Sequence, residues 1–136
     1  MSEQNTAIAK QAYANFKTGN IDALLDQLSD DVTWELPEVE GAALSGTRNG
    51  RESVREFFAT VARDQEVIEF EPREFVAQGD KVVSLGHYNW RVKDTGRDFA
   101  SHFAHVFTIR DGKVTAFREF FDSAAVAAAY RKAMSA

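Results

Sequence analysis

In the stretch Ser101 to Asp122, SHFAHVFTIRDGKVTAFREFFD, a histidine and a glutamate alternate with phenylalanines. Read with a period of two, Phe103, His105, Phe107 and Ile109 share one face of a first strand. Phe117, Glu119 and Phe121 share one face of a second. Asp111-Gly112 between them is a hairpin signal. A three-residue turn with Gly112 at positive φ would bring both faces to the same side. His105 and Glu119 then sit among four aromatic rings. Burying a carboxylate there costs free energy unless it is paired or protonated. Such a carboxylate can act as a general base, taking a proton from a carbon next to a carbonyl. His105 can donate to the oxygen that then becomes negative, or orient Glu119. The competing reading is a histidine–glutamate hydrogen bond that only satisfies two buried groups.

Other residues could complete a site. His87, His105 and Glu119 have the types of a two-histidine, one-carboxylate metal site. Nothing in their spacing fixes that geometry, so no metal is expected. His102 and His105 are three apart on a strand and face opposite sides. Tyr13, Phe16, Trp34, Phe57, Trp90 and Phe107 are candidate pocket walls, joined by His87, Phe103, Phe117 and Phe121. The same aromatic spacing also suits an ordinary core. Asp122, just before the last helical stretch, reads as its N-cap.

The elements that must position these residues follow from periodicity. Ala9, Ala12, Tyr13 and Phe16 form one stripe of a helix over 3–18. Gly19 ends it and Asn20 caps a short second helix carrying Ile21, Leu24, Leu25 and Leu28. Val32, Trp34 and Leu36 alternate as a strand stopped by Pro37. The glycine-punctuated stretch 37–50 reads as loop. Val54, Phe57, Phe58 and Val61 give a helix over 51–64. Strands are expected over 66–78, 81–92, 99–110 and 113–121. A final helix presents Val126, Ala129, Tyr130 and Ala133. Helices followed by a run of antiparallel strands mean an α+β fold. Its curved, mostly antiparallel sheet would wrap around the helices as a cone with an internal cavity.

The chain of 136 residues is read as one domain, 1–136, long enough for a real core. Its net charge of −5, without a basic cluster, argues against nucleic acid and anionic membrane surfaces as partners. There is no cysteine, which excludes disulfides, thiolate nucleophiles and cysteine-bound metals. No Gly-Lys-Ser/Thr sequence supports a phosphate-binding loop. No apolar run reaches membrane length and the first residues are polar, so a cytoplasmic location is expected. Eleven phenylalanines suggest an aromatic-rich core or an aromatic-lined cavity, and a hydrophobic small molecule is the expected partner. On the reverse of the hairpin, Ala104, Val106 and Thr108 with Val114, Ala116 and Phe120 are too apolar for open solvent. A second copy of the chain is the simplest cover, making a homodimer.

This order of elements resembles the nuclear transport factor 2-like superfamily, in particular its SnoaL-like polyketide cyclase and ketosteroid isomerase-related branch. The resemblance rests on the SGTRNGRESVREFF loop-to-helix join, the HVFTIRDGKVTAFREFFD hairpin and Trp34 on the first strand. It covers nearly the whole chain. It implies the cone fold, frequent dimers and cofactor-free proton-transfer chemistry, either isomerisation or aldol-type cyclisation, on a hydrophobic carbonyl compound. The branch's cyclases carry a polar residue six places before the turn aspartate and a carboxylate eight places after it. Those positions are His105 and Glu119 here. The cyclases usually have aspartate at the second, so Glu119 departs by one methylene. The Asp–Arg–Asp set of the superfamily's epoxide hydrolases is missing, since Arg118 faces away from Glu119. The alternative is a non-catalytic binding module on the same fold.

Overall fold

Residues 2–131 are described by a computed structural model of the chain. The order is α1 (Ser2–Lys17), α2 (Ile21–Asp26), β1 (Leu28–Leu36), β2 (Gly46–Asn49), α3 (Arg51–Asp64), β3 (Gln65–Gln78), β4 (Lys81–Val92), β5 (Arg97–Arg110), β6 (Lys113–Phe120) and α4 (Ser123–Tyr130). The six strands form one unclosed sheet, ordered β2-β1-β6-β5-β4-β3. Only the β1–β6 pairing is parallel. Register shifts interrupt β1–β6, β5–β6 and β3–β4, the last at two points, and such bulges bend a sheet. Pro72 lies on the edge strand β3, where its missing N–H costs no ladder bond to a further strand.

The helices cover the concave face, so the α+β cone is as expected. α1 buries Ala9, Ala12 and Tyr13 against the sheet, with Phe16 packed beside them. Among the described residues no helix is long and apolar enough to cross a membrane. Both expected caps form: the Asn20 side chain accepts from Ala23 N, and that of Asp122 accepts from Ala125 N. Ala133 lies outside the described residues.

Three local expectations need correction. Leu28 is not in α2. Gln27 ends that helix and its carbonyl accepts from Val114 N, which draws Leu28 into β1 opposite Val114. The 37–50 stretch is not all loop, because Gly46–Asn49 pairs with Thr33–Leu36 as β2. Four residues of Gly-Thr-Arg-Asn carry no apolar alternation, so the pairing has no local signal.

The third correction is the hairpin itself. Its turn has two residues, with Asp111 at φ 51° and Gly112 at φ 78°, and Arg110 pairs with Lys113. Two positive φ angles are the signature of a type I′ turn. A two-residue turn alone would place Ala116 opposite Phe107. A bulge at Thr115 shifts the register, so that Phe107 faces Phe117 and His105 faces Glu119. The expected inner face is thus correct, but the bulge produces it. The two-residue turn itself places Val114 opposite Ile109 and so inward, where it is fully buried, rather than on the outer face. Thr108 is also buried, with its hydroxyl accepting from Lys81 Nζ.

Candidate functional site

β5 and β6 bring the two principal candidates together. His105 and Glu119 are directly opposite, and His105 Nε2 lies 2.7 Å from Glu119 Oε2. Tyr13, reaching down from α1, places its hydroxyl 2.7 Å from His105 Nδ1. Tyr88 on β4 donates its hydroxyl to the same Glu119 Oε2 at 3.0 Å. The result is a continuous polar chain, Tyr13–His105–Glu119–Tyr88. A carboxylate only accepts, so this network assigns the proton to His105 Nε2. Nδ1 then accepts from the Tyr13 hydroxyl.

Aromatic rings enclose this chain. Phe103 stacks on the His105 ring at 4.1 Å between centroids, and Phe117 lies 4.9 Å from it. His105 is buried and the Glu119 side chain is 11% exposed. Burial pushes the Tyr88 phenol well above its ordinary range, and the Glu119 charge and hydrogen bond push the same way. Burial also raises the Tyr13 phenol, against a smaller opposing effect of the Ser84 hydroxyl and with added help from Glu119. Ser84 Oγ nevertheless has no partner with hydrogen-bond geometry. Both phenols stay protonated at neutral pH and act as donors.

The chain of polar groups lines a cavity of about 100 Å³. Tyr13 and Phe16 contribute from α1, Trp34 from β1 and Phe57 from α3. Trp90, His105, Phe107, Phe117 and Glu119 contribute from β4, β5 and β6, and Phe121 lines it just past the end of β6. These expected pocket residues therefore meet in one place. Both hydrogen bonds to Glu119 fall on Oε2. Among the described residues Oε1 has no protein donor, which leaves one carboxylate oxygen for a ligand.

Two expected residues do not line the cavity. Phe103 is buried behind His105, held by stacking on it and on Tyr88. His87 sits on the other face of β4, with its ring 5.2 Å from that of His102 and Nδ1 3.3 Å from Glu69. Adjacent strand residues point to opposite faces, so Tyr88 turns in and His87 turns out. Tyr88 is the polar cavity residue next to Glu119 that sequence reasoning missed. Trp90 and Tyr88 are two apart, so an inward Trp90 already implied an inward Tyr88 and an outward His87. Among the described residues no group of three or more His, Asp or Glu is placed to hold a metal ion.

A model of the SnoaL-like domain matches residues 9–117. Among solved structures, a nuclear transport factor 2-like protein from Burkholderia xenovorans is 32% identical, covering 96% of this chain and 98% of its own, with a TM-score of 0.88. TerC, crystallised with polyporic acid, is 30% identical over 93% of this chain and 98% of its own, with a TM-score of 0.77. A protein from Mesorhizobium loti described as SnoaL-like polyketide cyclase is 21% identical over 85% of this chain and 97% of its own, with a TM-score of 0.70, and shows likeness of fold. No curated protein matches the chain.

Proposed function

The chain belongs to the SnoaL-like domain family of the nuclear transport factor 2-like superfamily, and from that premise we propose that its cavity carries out cofactor-free proton transfer on a hydrophobic carbonyl compound. The observation that carries this reading is the Glu119 carboxylate, held by His105 and Tyr88 in an otherwise aromatic cavity with one oxygen free of protein donors. Glu119 Oε1 takes a proton from the carbon next to the ligand carbonyl. The C–H electron pair moves into the enolate. The proton returns to the same carbon or to another, giving isomerisation, or the enolate carbon attacks a second carbonyl and closes a ring. His105 has both ring nitrogens engaged, so its part is to orient Glu119 rather than to donate to the ligand. The likeness to a protein crystallised with polyporic acid supports a small-molecule ligand.

A non-catalytic binding module is the second reading. It is favoured by the internal satisfaction of both His105 nitrogens and of Glu119 Oε2, which resembles a structural network. Hydrophobic carbonyl compounds that raise the melting temperature separate the two. With such a ligand, Glu119→Gln should keep binding and lower turnover by about 10²-fold or more. Binding without turnover in the unaltered protein would leave only the binding module.

A further inference from the structure

The β1 wall of the cavity carries a second polar feature that the proton-transfer reading does not use. Trp34 lines the cavity and is 5% exposed, and its indole Nε1–H is buried without a hydrogen-bond partner. Buried indole N–H groups ordinarily find an acceptor. Directly opposite Trp34 in the β1–β2 ladder is Arg48, on the same inner side of the sheet. Its Nε is likewise buried without a partner, while Nη2 donates to Ala43 O. The guanidinium packs 5.9 Å from the centre of the Phe57 ring, and that ring also lies 5.8 Å from the Trp34 ring. Among the described residues Arg48 has no carboxylate partner, and Glu35, next to Trp34, is taken by Arg118.

Two residues with unsatisfied donors, one carrying a full positive charge, thus pack against the same Phe57 ring, Trp34 lining the cavity and Arg48 behind that lining. Glu119 lies on the β6 side of the same cavity, beyond Phe117, which stacks on Trp34 at 4.0 Å. We propose that Trp34 Nε1–H binds an anionic oxygen of the ligand and that Arg48 supplies the charge that favours it. The ligand class is then an aromatic carboxylate, or an acidic enol or phenol, with the oxygen at Trp34 and the carbonyl side toward Glu119. The proposal rests on the cavity being a binding site, but not on Glu119 being a base.

The protein has two tryptophans, so a ¹⁵N-labelled sample shows two indole N–H signals, told apart with Trp90→Phe. Titration with benzoate and with uncharged benzamide tests the proposal. The Trp34 indole signal should move downfield with benzoate, which should bind about tenfold more tightly than benzamide. Arg48→Met should bring the two affinities within about threefold while sparing benzamide. Should that variant not fold, the indole shift in the unaltered protein still decides. A Trp34 signal unmoved while other cavity signals shift, or equal affinities for the two probes, overturns the anion preference and leaves the cavity reading intact. Binding of neither probe overturns both. Proton transfer retained in Glu119→Gln with benzoate binding unchanged would sink only the base.

Discussion

At the scale of single residues, Glu119 is defined by what its partners can give it. His105 and Tyr88 both donate to one oxygen, and His105 is itself held from its other nitrogen by the Tyr13 hydroxyl. Removing a donor from a buried carboxylate costs about 1.5–3 kcal/mol, so Tyr88→Phe should destabilise the fold by roughly 2 kcal/mol in chemical denaturation. His105→Leu should cost more, about 3–5 kcal/mol, because it leaves a buried charge and the Tyr13 hydroxyl without their shared partner. Glu119→Gln keeps an acceptor at the same place and should be the mildest of the three. The raised Tyr88 phenol also fixes a sign for alkaline pH. In the unfolded chain tyrosine loses its proton near pH 10, while the native residue keeps it to higher pH. The native state therefore binds more protons there, and stability is full below about pH 10 and falls as pH rises past it. Melting temperatures from pH 8 to 11 should show that fall, to which the raised Tyr13 phenol also contributes, and Tyr88→Phe should lessen it. A variant with the same alkaline slope as the unaltered protein would show that Tyr88 is not its source.

At the scale of elements, the hairpin decides whether this chemistry exists at all. The alternation of Phe103, His105 and Phe107 with Phe117 and Glu119 was legible because a strand has a strict period of two. The turn was not, because Asp-Gly suits both two-residue and three-residue loops, and the bulge at Thr115 has no residue signature. A one-residue slip exchanges the faces of a strand. Inserting one alanine between Ala116 and Phe117 should therefore send Phe117 and Glu119 outward, whereas deleting the bulged Thr115 should leave both facing inward. With the insertion, cooperative unfolding should be lost, seen as a flat near-ultraviolet melting profile. A folded insertion variant would show that another part of the chain absorbs the slip. Gly86 is a second fixed point. A Cβ there would collide with the Glu71 carbonyl and the Phe103 ring, the ring that stacks on His105. Gly86→Ala should cost about 3 kcal/mol or more by denaturation. β2 was illegible for a different reason: its pairing is specified by the β1 edge, not by its own four residues.

At the scale of the molecule, the cone has an apolar back. Leu85, Ala104 and Phe120 line up across β4, β5 and β6, and Val76, Val83 and Val106 form the next row from β3 to β5. Val76 is 60% exposed and Phe120 46%. We propose that a second copy covers these rows about a twofold axis. Light scattering after size exclusion should then give a dimer mass, and Leu85→Glu with Phe120→Glu a folded monomer. A monomer at micromolar concentration in the unaltered protein would remove that proposal. The inside of the cone carries the central claim, that Glu119 is a base toward a carbonyl compound held among the aromatic rings. Deuterium incorporation next to the carbonyl of 2-tetralone, followed by NMR in heavy water, reads that step without knowing the natural ligand. The unaltered protein should accelerate it about 10²-fold or more over buffer, and Glu119→Gln should return it to the buffer rate. Bound 2-tetralone that exchanges no faster than in buffer would contradict the claim.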